Sequence, residues 1–501
     1  MSEANGTNGS TGKGASKHLT ATLILACLGQ FMVILDVSVV NVALPAIRHG
    51  LGFSEQDLQW VVNAYTVTFA GFLLLGGRAA DLLGRRRVFV GGLMLFALAS
   101  LAGGLAQSQA MLIGARAIQG LGAAVVAPAS LSILTTTFTK PAERNRAVGI
   151  WGAMGGAGGA AGVLLGGVLT DLAGWRWILF INVPIGLAAA FLTTVYIAEG
   201  RADKATRNFD LSGALAATVG LSLLVLGIVR TDVTGWGNAS TIALLAVGVG
   251  LLGVFVAIEG RFATAPLVPL RLFSSRLLSA ANVVVLFVGA ASFGMWFFVS
   301  LYLQEVLGYS PIKAGLAFLP MTLCIVAGSV AASRFVLRIG AKPMLVVGML
   351  AQTAGLLLFT LTPVNGTYLA NIVLPSLLVA IGIPLSFVPS TISAVQGVAA
   401  AEAGLASAVV NTARLFGGAL GLAVLAAIAA ARTSSDLRYL PAGAHSANVA
   451  LTSGFHLAFA VAAGLALAGA FVAAFGMPRV VVRKPPHAAP EAATPVVETA
   501  A

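Results

Sequence analysis

The chain has 501 residues, of which 58% are hydrophobic and 9% are charged, and its mean hydropathy is +0.95. Soluble domains are about half apolar and about one quarter charged, so this composition excludes an ordinary soluble enzyme or binding domain and indicates a chain whose main solvent is lipid. The formal net charge of +12 does not indicate a nucleic-acid partner, because the basic residues fall in alternate loops between apolar runs.

Fourteen apolar runs are long enough to cross a bilayer as helices, which takes about 20 residues each. The runs are continuously apolar, whereas the strands of a membrane barrel alternate over about 10 residues. The sequence therefore predicts an all-α membrane protein with no β-sheet of consequence. The predicted spans, numbered 1 to 14 in chain order, are 19–47, 58–76, 88–106, 111–138, 147–170, 177–198, 211–229, 239–258, 278–304, 314–333, 344–362, 368–396, 404–431 and 454–476.

The positively charged residues give the orientation of the spans. Most of the 29 lysines and arginines lie in the two tails and in the even-numbered connections, and cytoplasmic loops of membrane proteins carry such an excess. Both termini are therefore predicted to be cytoplasmic in a multi-pass protein of the cell membrane. Arginine outnumbers lysine, and alanine and glycine are abundant, which suggests a GC-rich bacterial source and hence the bacterial plasma membrane.

A weak repeat relates the two halves of the chain. The short turn between spans 2 and 3 contains Gly84, with Arg78 before it and Arg86 after it. About half a chain later, between spans 10 and 11, Gly340 stands in the place of Gly84, and Arg334 in the place of Arg78. Internal duplication of a helical bundle leaves such a match.

We therefore predict two six-helix bundles, one formed by spans 1 to 6 at 19–199 and one by spans 9 to 14 at 277–477. Spans 7 and 8 form an insert within a linker at 200–276. The tails 1–18 and 478–501 are rich in small polar residues or in proline and alanine. Since they contain too few large apolar groups to fold alone, they are predicted to be disordered.

Only three formally charged side chains lie within the predicted spans: Asp36, Arg116 and Arg414. An ionised carboxylate in hydrocarbon costs at least about 2.5 to 3.5 kcal/mol, so Asp36 should face a cavity or a partner. A rise of about 1.5 Å per residue places Asp36 roughly 16 Å deep and Arg116 roughly 9 Å deep, a difference that an arginine side chain covers. The pair is either a proton-carrying site, since burial and a neighbouring cation tune whether a carboxylate holds a proton, or a structural ion pair that orients two helices.

Arg414 lies about 15 Å into span 13, close to Asn411 and to a pair of glycines at 417–418. It either lines a cavity and attracts an anionic or polar substrate, or it satisfies backbone carbonyls at a break in its helix, since buried arginines do both. The sequence leaves both interpretations open.

Several motifs together resemble one family. They lie at 35–45 in span 1, at 77–86 after span 2, at 116–122 in span 4, and at 174–177 and 180–184 around the start of span 6. In these segments the chain resembles the fourteen-span drug:proton antiporters of the major facilitator superfamily. The resemblance covers nearly the whole chain and implies the major facilitator fold, with 14 transmembrane helices in two six-helix bundles plus a two-helix insert. It also implies export of small hydrophobic or amphiphilic compounds, antibiotics among them, in exchange for protons.

The resemblance further implies roles for two groups of residues. It links Asp36 and Arg116 to transport and proton movement. It makes the turn between spans 2 and 3 a latch that joins the two bundles on the cytoplasmic side. The residues of this gating motif are Gly77, Asp81, Gly84, Arg85 and Arg86. The position after the acid is usually basic in the family, whereas Leu82 occupies it here.

Span 5 carries a face of small residues. These are Gly158, Gly162 and Gly166, with Gly167 beside them. A spacing of four lets a neighbouring backbone approach closely, whereas a dinucleotide-binding loop is excluded because no strand precedes this apolar run. In the resembled family this helix carries the packing motif typical of antiporters, in which proline usually stands at the position of Val163. Whether this difference alters coupling is open.

The remaining polar and aromatic residues are assigned to the substrate. A cavity between the bundles is predicted to contain Asn41, Gln119, Trp296 and Arg414 within a largely apolar lining. The expected partners are a small-molecule drug or antibiotic, protons and the lipid bilayer, with the proton gradient as energy source and no cofactor. The five histidines show no metal-ligand spacing, so neither a metal site nor an enzyme is predicted. Uptake or uniport of a metabolite by the same fold is the alternative, and a membrane enzyme or sensor is a more distant one.

Overall fold

The computed structural model describes residues 8–54, 56–199, 210–263, 266–396, 398, 402–441 and 443–478. Every regular element in these ranges is helical. Fourteen of the helices are long and apolar enough to cross a membrane, and each contains most of one predicted span. The prediction of an all-α membrane protein with fourteen spans is therefore confirmed.

We label the spanning helices α1 to α14 in chain order. Helix α6 consists of two consecutive segments, and short π-helical turns extend four of the other helices. The helices are Asn8–Leu51, Trp60–Leu83, Arg85–Gly104, Gln109–Thr137, Pro141–Leu172, Trp177–Phe180 with Asn182–Tyr196, Leu211–Thr234, Ala239–Ala257, Arg276–Leu301, Pro311–Ile339, Ala341–Phe359, Leu374–Gln396, Ala403–Leu437 and Ala444–Phe471. The π-helical turns are Ile258–Phe262 after α8, Tyr302–Val306 after α9, Tyr368–Val373 before α12 and Val472–Gly476 after α14.

Several helices extend beyond the apolar runs that predicted them. Helix α1 begins at Asn8, inside the tail that was expected to be disordered, and α14 begins at Ala444 rather than at 454. Adding a residue to an existing helix costs little once the helix is nucleated, whereas an apolar run marks only the part inside hydrocarbon. Residues 1–7, 200–209 and 479–501, which complete the predicted tails and linker, lie outside the described residues.

The interruption of α6 has a covalent cause. Proline has no backbone N–H, so Pro184 cannot donate to the carbonyl of Phe180, which is the bond that a continuous helix would need there. Ile181 still donates to the Trp177 carbonyl at 3.0 Å. Ile181 lies between the two segments with helical dihedral angles, φ −59° and ψ −31°, and Asn182 begins the second segment.

The helices form two bundles with an insert between them. Helices α1 to α6 pack on one another, as do α9 to α14, and the bundles meet chiefly where α2 contacts α13 and α5 contacts α10. Helix α7 packs against α2 and α13, whereas α8 packs mainly on α7. The insert therefore covers one seam between the bundles, and α8 exposes most of its surface to the surrounding medium.

The predicted repeat has a structural counterpart in two glycine turns. Gly84 alone joins α2 to α3 with φ 106°, and Gly340 alone joins α10 to α11 with φ 89°. Both values lie in the region that residues with a Cβ rarely adopt. Each turn reverses the chain in one residue at the same end of its bundle, as expected for equivalent positions of two related halves.

The bundles are in contact at one end of the molecule and separated at the other. Near the ends of α5 and α10 that lie away from the glycine turns, a Cβ added to Gly167 would lie 2.6 Å from the Pro311 carbonyl oxygen. Towards the end that carries the Gly84 and Gly340 turns, Gly152 on α5 and Ser333 on α10 instead line an open cavity. The cavity therefore opens towards the glycine-turn end and is closed at the opposite end.

Candidate functional site

Asp36 lies at the centre of a buried hydrogen-bond network in the first bundle. Its side chain is fully buried. Arg116 Nη1 donates to Asp36 Oδ2 at 2.6 Å, while Gln119 Nε2 and Asn182 Nδ2 donate to Oδ1 at 2.8 and 3.0 Å. These bonds join helices α1, α4 and α6 around one carboxylate, and helix α2 packs beside them. Charge-assisted bonds of this kind are stronger than neutral ones.

Arg116 is held from several directions. Its Nε donates to the Val61 carbonyl on α2 at 3.0 Å, and its Nη1 also donates to Gln119 Oε1 at 2.7 Å. The centre of its guanidinium lies 4.4 Å from the Tyr65 ring centroid, within range of a cation–π interaction. Arg116 and Asp36 are therefore a single buried unit.

Ser100 and Asn182 belong to this network, although the sequence did not indicate them as site residues. Ser100 Oγ accepts from Gln119 Nε2 and from Asn182 Nδ2, each at 3.2 Å, and donates to the Leu179 carbonyl at 2.8 Å. Both side chains are fully buried. Their signal in the sequence is weak, since each is one uncharged polar residue within an apolar run.

A cavity of about 640 Å³ lies between the two bundles. Its wall is mostly apolar, and a few polar and aromatic side chains face it. Those that matter for its chemistry are Asn41, Tyr65, Ser292, Phe293, Trp296 and Arg414. Three of the four residues predicted to line the cavity are therefore found there, whereas Gln119 is buried behind the wall and bonded to Asp36.

Tyr65 connects the cavity to the ionic network. One face of its ring packs over the Arg116 guanidinium, and the residue also lines the cavity. Its hydroxyl donates to the Val33 carbonyl on α1 at 3.5 Å. Only 1% of the Tyr65 surface is exposed, so in this conformation the ring closes the path from the cavity to Asp36.

Arg414 is placed differently from Arg116. Its Nε and Nη2 donate to Asn411 Oδ1 at 3.3 and 3.1 Å, and its guanidinium centre lies 5.4 Å from the Phe387 ring. Among the described residues no carboxylate lies within 4.0 Å of it, and none of its hydrogen bonds goes to a backbone carbonyl. This arrangement matches the first of the two interpretations of Arg414, a side chain that faces the cavity.

The glycine face of α5 packs against α1. A Cβ at Gly158 would lie 2.9 Å from the Phe31 carbonyl oxygen, one at Gly162 2.8 Å from that of Leu35, and one at Gly166 2.9 Å from that of Val39. Only glycine permits these three approaches of one backbone to another. Gly167 instead faces α10 in the second bundle, so α5 touches both halves of the molecule.

The turn between α2 and α3 makes its described contacts within the first bundle. Arg85 Nε donates to Ser132 Oγ at 2.8 Å, and Arg86 Nε lies 3.5 Å from Glu199 Oε2. Gly77 packs against Pro128, since a Cβ there would be 3.4 Å from that ring. The Asp81 side chain lies outside the part of the chain whose side chains are described.

At the opposite end, polar contacts join the two bundles. Glu305 Oε1 lies 3.7 Å from Arg48 Nη1 and 3.2 Å from His49 Nε2. Just inside this cluster, Ser300 Oγ donates to the Asn41 carbonyl at 2.6 Å, and Gln304 Nε2 donates to that of Val42 at 2.9 Å. We call Arg48, His49 and Glu305 the Glu305 cluster; it closes the end of the cavity remote from the glycine turns.

These features define a class of protein. Two related helical bundles enclose a cavity that opens at one end only, and a buried ionic network adjoins the cavity wall. No group of three metal-ligating side chains lies together in the described ranges. The two bundles and the cavity between them are the architecture of a membrane transporter.

The comparisons with known proteins identify the family. A family model described as Major Facilitator Superfamily matches residues 26–422. The chain belongs to the major facilitator superfamily, and it is a multi-pass membrane protein. The resemblance inferred from the motifs is confirmed.

Relatives with assigned names are similar over most of this chain. It is 45% identical to the cephamycin export protein of Amycolatopsis lactamdurans over 84% of this chain and 87% of that protein. It is 39% identical to the puromycin resistance protein of Streptomyces alboniger over 90% of each. It is 37% identical to the tetracenomycin C resistance and export protein of Streptomyces glaucescens over 82% of this chain and 76% of that one.

Solved structures agree in fold. A bacterial homologue of the human lysosomal transporter Spinster, in an inward-facing and unoccupied conformation, superposes with a TM-score of 0.66 over 94% of this chain and 98% of that one, at 16% identity. A D-xylose–proton symporter gives 0.62 over 92% and 98%, at 13% identity. At such low identity these matches establish the shared fold and nothing about the substrate.

Proposed function

We propose that this protein is an efflux transporter of the bacterial plasma membrane that exports small hydrophobic or amphiphilic compounds, antibiotics among them, in exchange for protons. Export of such compounds is supported by the names of relatives that are 37% to 45% identical over most of the chain. The observation that carries proton exchange is the buried Asp36–Arg116 pair, which adjoins the cavity wall where the Tyr65 ring covers Arg116.

In this mechanism Asp36 carries the proton. Protonation removes the negative charge that holds Arg116 at 2.6 Å and weakens the charge-assisted bonds from the neighbouring amides. The guanidinium and the Tyr65 ring above it are then free to move. The protonation state of Asp36 thereby changes the wall of the cavity. Exchange of substrate for protons requires such a link between the proton site and the substrate site.

The two ends of the cavity open alternately. The glycine-turn end, which we assign to the cytoplasm together with both termini, is open in this conformation, and the Glu305 cluster closes the outer end. We assign the cytoplasmic latch of the other conformation to the gating motif, Gly77, Asp81, Gly84, Arg85 and Arg86. The moving bodies are the bundles at 19–199 and 277–477, with the insert at 200–276 between them.

Drug accumulation in a pump-deficient bacterium tests this function. Cells that express the wild type, Asp36→Asn or the control Asp171→Asn are loaded with antibiotics and lipophilic dyes, with and without a protonophore. Asp171 is an exposed acid at the end of α5, so its variant removes the same charge from outside the network. We expect lower accumulation with the wild type and the control, and no reduction with Asp36→Asn or with the protonophore.

Two results would contradict the proposal. Higher accumulation in cells expressing the wild type would establish uptake instead of export. Export that persists at full rate with the protonophore would remove the proton from the mechanism, whatever the substrate.

A further inference from the structure

The cavity wall contains one charged side chain. Among the described residues that line it, Arg414 alone is ionisable with a formal charge, and the others are apolar, aromatic, hydroxyl or amide groups and glycines. Asp36 does not compensate for it, because its side chain is fully buried on the far side of Tyr65 and bonded to Arg116. The cavity therefore presents an uncompensated positive charge to whatever enters it.

Close backbone packing fixes the position of Arg414. Its carbonyl oxygen is in such close contact with Gly289 on α9 that a Cβ there would collide with it, and Gly417 on α13 meets the Leu286 carbonyl in the same way. Helices α9 and α13 are therefore pressed together at this level. The guanidinium projects from a rigid support, which suits a site that recognises a ligand by geometry.

Most donors of Arg414 are available. A guanidinium has five N–H donors in a planar fork, and the two nitrogens of Arg414 that donate share a single acceptor, Asn411 Oδ1. The Phe387 ring at 5.4 Å gives partial compensation of the charge. Burying an arginine in an apolar setting without an anionic partner costs free energy. A carboxylate, which can accept two parallel hydrogen bonds from the guanidinium, offsets this free energy best.

A second polar side chain lies in the cavity wall. Ser292 lines the cavity from α9, one helical turn beyond Gly289, and its residue surface is 7% exposed. Its hydroxyl oxygen has no hydrogen-bond partner among the described residues, although buried hydroxyl groups in folded proteins are nearly always bonded. The hydroxyl oxygen is itself covered in this conformation, so it reaches the polar group of a ligand by rotation of the side chain about the Cα–Cβ bond.

We propose that the cavity selects amphiphilic anions, in particular carboxylates, with Arg414 and Ser292 binding the anionic group. The aromatic side chains of Phe293 and Trp296 line the same cavity and contact the apolar body of the substrate. This inference rests on the proposed export function, for which it names the substrate class.

Binding of three matched probes tests the substrate class. Pyrenebutyric acid, its methyl ester and pyrenebutylamine share one apolar body and differ in the charge of the head group. Purified full-length protein in phosphatidylcholine nanodiscs is titrated with each probe, and binding is followed by energy transfer from tryptophan to pyrene. With charge-assisted bonds worth about 1.5 to 3 kcal/mol, we expect the acid to bind the wild type about ten- to a hundredfold more tightly than the ester.

Variants locate the anion site. Arg414→Gln should abolish the preference for the acid, Arg414→Lys should retain part of it, and Ser292→Ala should weaken the acid alone. Arg438→Gln removes the same charge from an exposed position at the end of the same helix and should bind as the wild type does. Because the ester needs no anion site, unchanged ester binding shows that each variant is folded.

Three outcomes overturn the inference. The first is equal affinity of the wild type for the three probes or tighter binding of the amine. The second is a preference for the acid that survives Arg414→Gln. The third is displacement of the acid from the wild type, but not from Arg414→Gln, when phosphatidylglycerol replaces part of the lipid, which would assign the site to a lipid head group.

The same probes in the accumulation assay separate this inference from the proposed function. Export of the ester or amine, with no Arg414-dependent export of the acid, would overturn the anion site and leave export intact. No export of any compound, together with tight binding of the acid, would contradict export and retain the anion site. Arg414-dependent export of the acid supports both.

Discussion

At the scale of single residues, the network around Asp36 depends on amide side chains as much as on Arg116. Gln119 and Asn182 both donate to Asp36 Oδ1, and both also donate to Ser100. An amide can supply a proton for a hydrogen bond but cannot neutralise a carboxylate. Gln119 and Asn182 therefore orient Asp36, whereas the positive charge of Arg116 compensates its negative charge.

Replacing Asn182 tests this positioning role. Asn182→Ala removes one bond to a charged acceptor, worth about 1.5 to 3 kcal/mol, and we expect export to fall by about tenfold or more at an unchanged protein level. Asn282→Ala is the matched control, because Asn282 is also a buried asparagine in a spanning helix but donates within its own helix to Leu278. Wild-type export by Asn182→Ala would show that this amide is dispensable.

The contact between Asp36 and Arg116 could be predicted from sequence, because depth along a helix follows from residue number. The position of Gln119 was predicted wrongly, since depth does not give the direction of a side chain around the helix. Gln119 lies three residues after Arg116 and hence on the same face, which places it beside Asp36 rather than on the cavity wall. Ser100 and Asn182 were missed because uncharged polar residues are common in spanning helices.

At the scale of helices, the glycine face of α5 sets how closely two backbones approach. Gly162→Ala would place a Cβ 2.5 Å from the Ser38 Cβ and 2.8 Å from the Leu35 carbonyl oxygen. Backbone atoms cannot yield without moving the helix, so we expect a loss of about 1 to 3 kcal/mol of stability. Thermal unfolding of the purified protein measures this loss.

Gly155 provides the control on the same helix. Nothing lies within 4 Å of a Cβ placed there, and alanine in a helix interior is more favourable than glycine by roughly 0.5 to 1 kcal/mol. Gly155→Ala should therefore unfold at the same temperature as the wild type or slightly higher. Equal destabilisation by the two substitutions would contradict the assignment of the packing face.

The number and order of the helices could be predicted, since the length of an apolar run reflects the thickness of a bilayer. The ends of the helices could not be predicted. The first turns of α14, for example, are polar and carry no apolar signal. The interruption of α6 at Ile181 was also missed, although Pro184 marks it. The spacing of small residues predicted the tight face of α5, and the absence of proline at Val163 left that face intact, with Val163 itself buried.

At the scale of the whole molecule, charged, polar and apolar contacts together close one end of the cavity. The Glu305 cluster joins α1 to the end of α9 through partly exposed charges. Exposed ion pairs contribute about 0.2 to 1 kcal/mol each, which is small compared with a packed interface. The cluster is therefore a small part of the closure, to which the hydrogen bonds from Ser300 and Gln304 and the packing of α5 on α10 also contribute.

We expect Glu305→Gln to shift the equilibrium towards the conformation that is open at the outer end, by up to about fivefold. The rate at which an impermeant maleimide labels Ser38→Cys from outside the cell, in a background with Cys27→Ala and Cys324→Ala, measures this shift, because Ser38 lines the cavity. Asp436→Asn breaks an exposed ion pair with Arg432 within α13 and should leave the rate unchanged. Slower labelling of the Glu305 variant would mean that the cluster does not hold the outer end closed.

The choice between conformations is the part of the fold that sequence patterns could not give. Apolar runs and glycine spacing are the same in every state of the cycle, whereas the cavity exists only through the relative placement of the two bundles. The sequence placed Arg48 and Glu305 in odd-numbered connections, on one predicted side of the membrane, but their contact depends on which end of the cavity is closed.

The wall that α5 contributes to the cavity has a consequence for adaptation. Gly149, Gly152 and Gly155 line the cavity, and each has open space where a side chain would begin. Small residues can replace them one at a time and narrow the chamber without displacing any neighbour. Selection can therefore retune which molecules fit through single codon changes on this wall, while the residues around Asp36, on the other side of Tyr65, stay as they are.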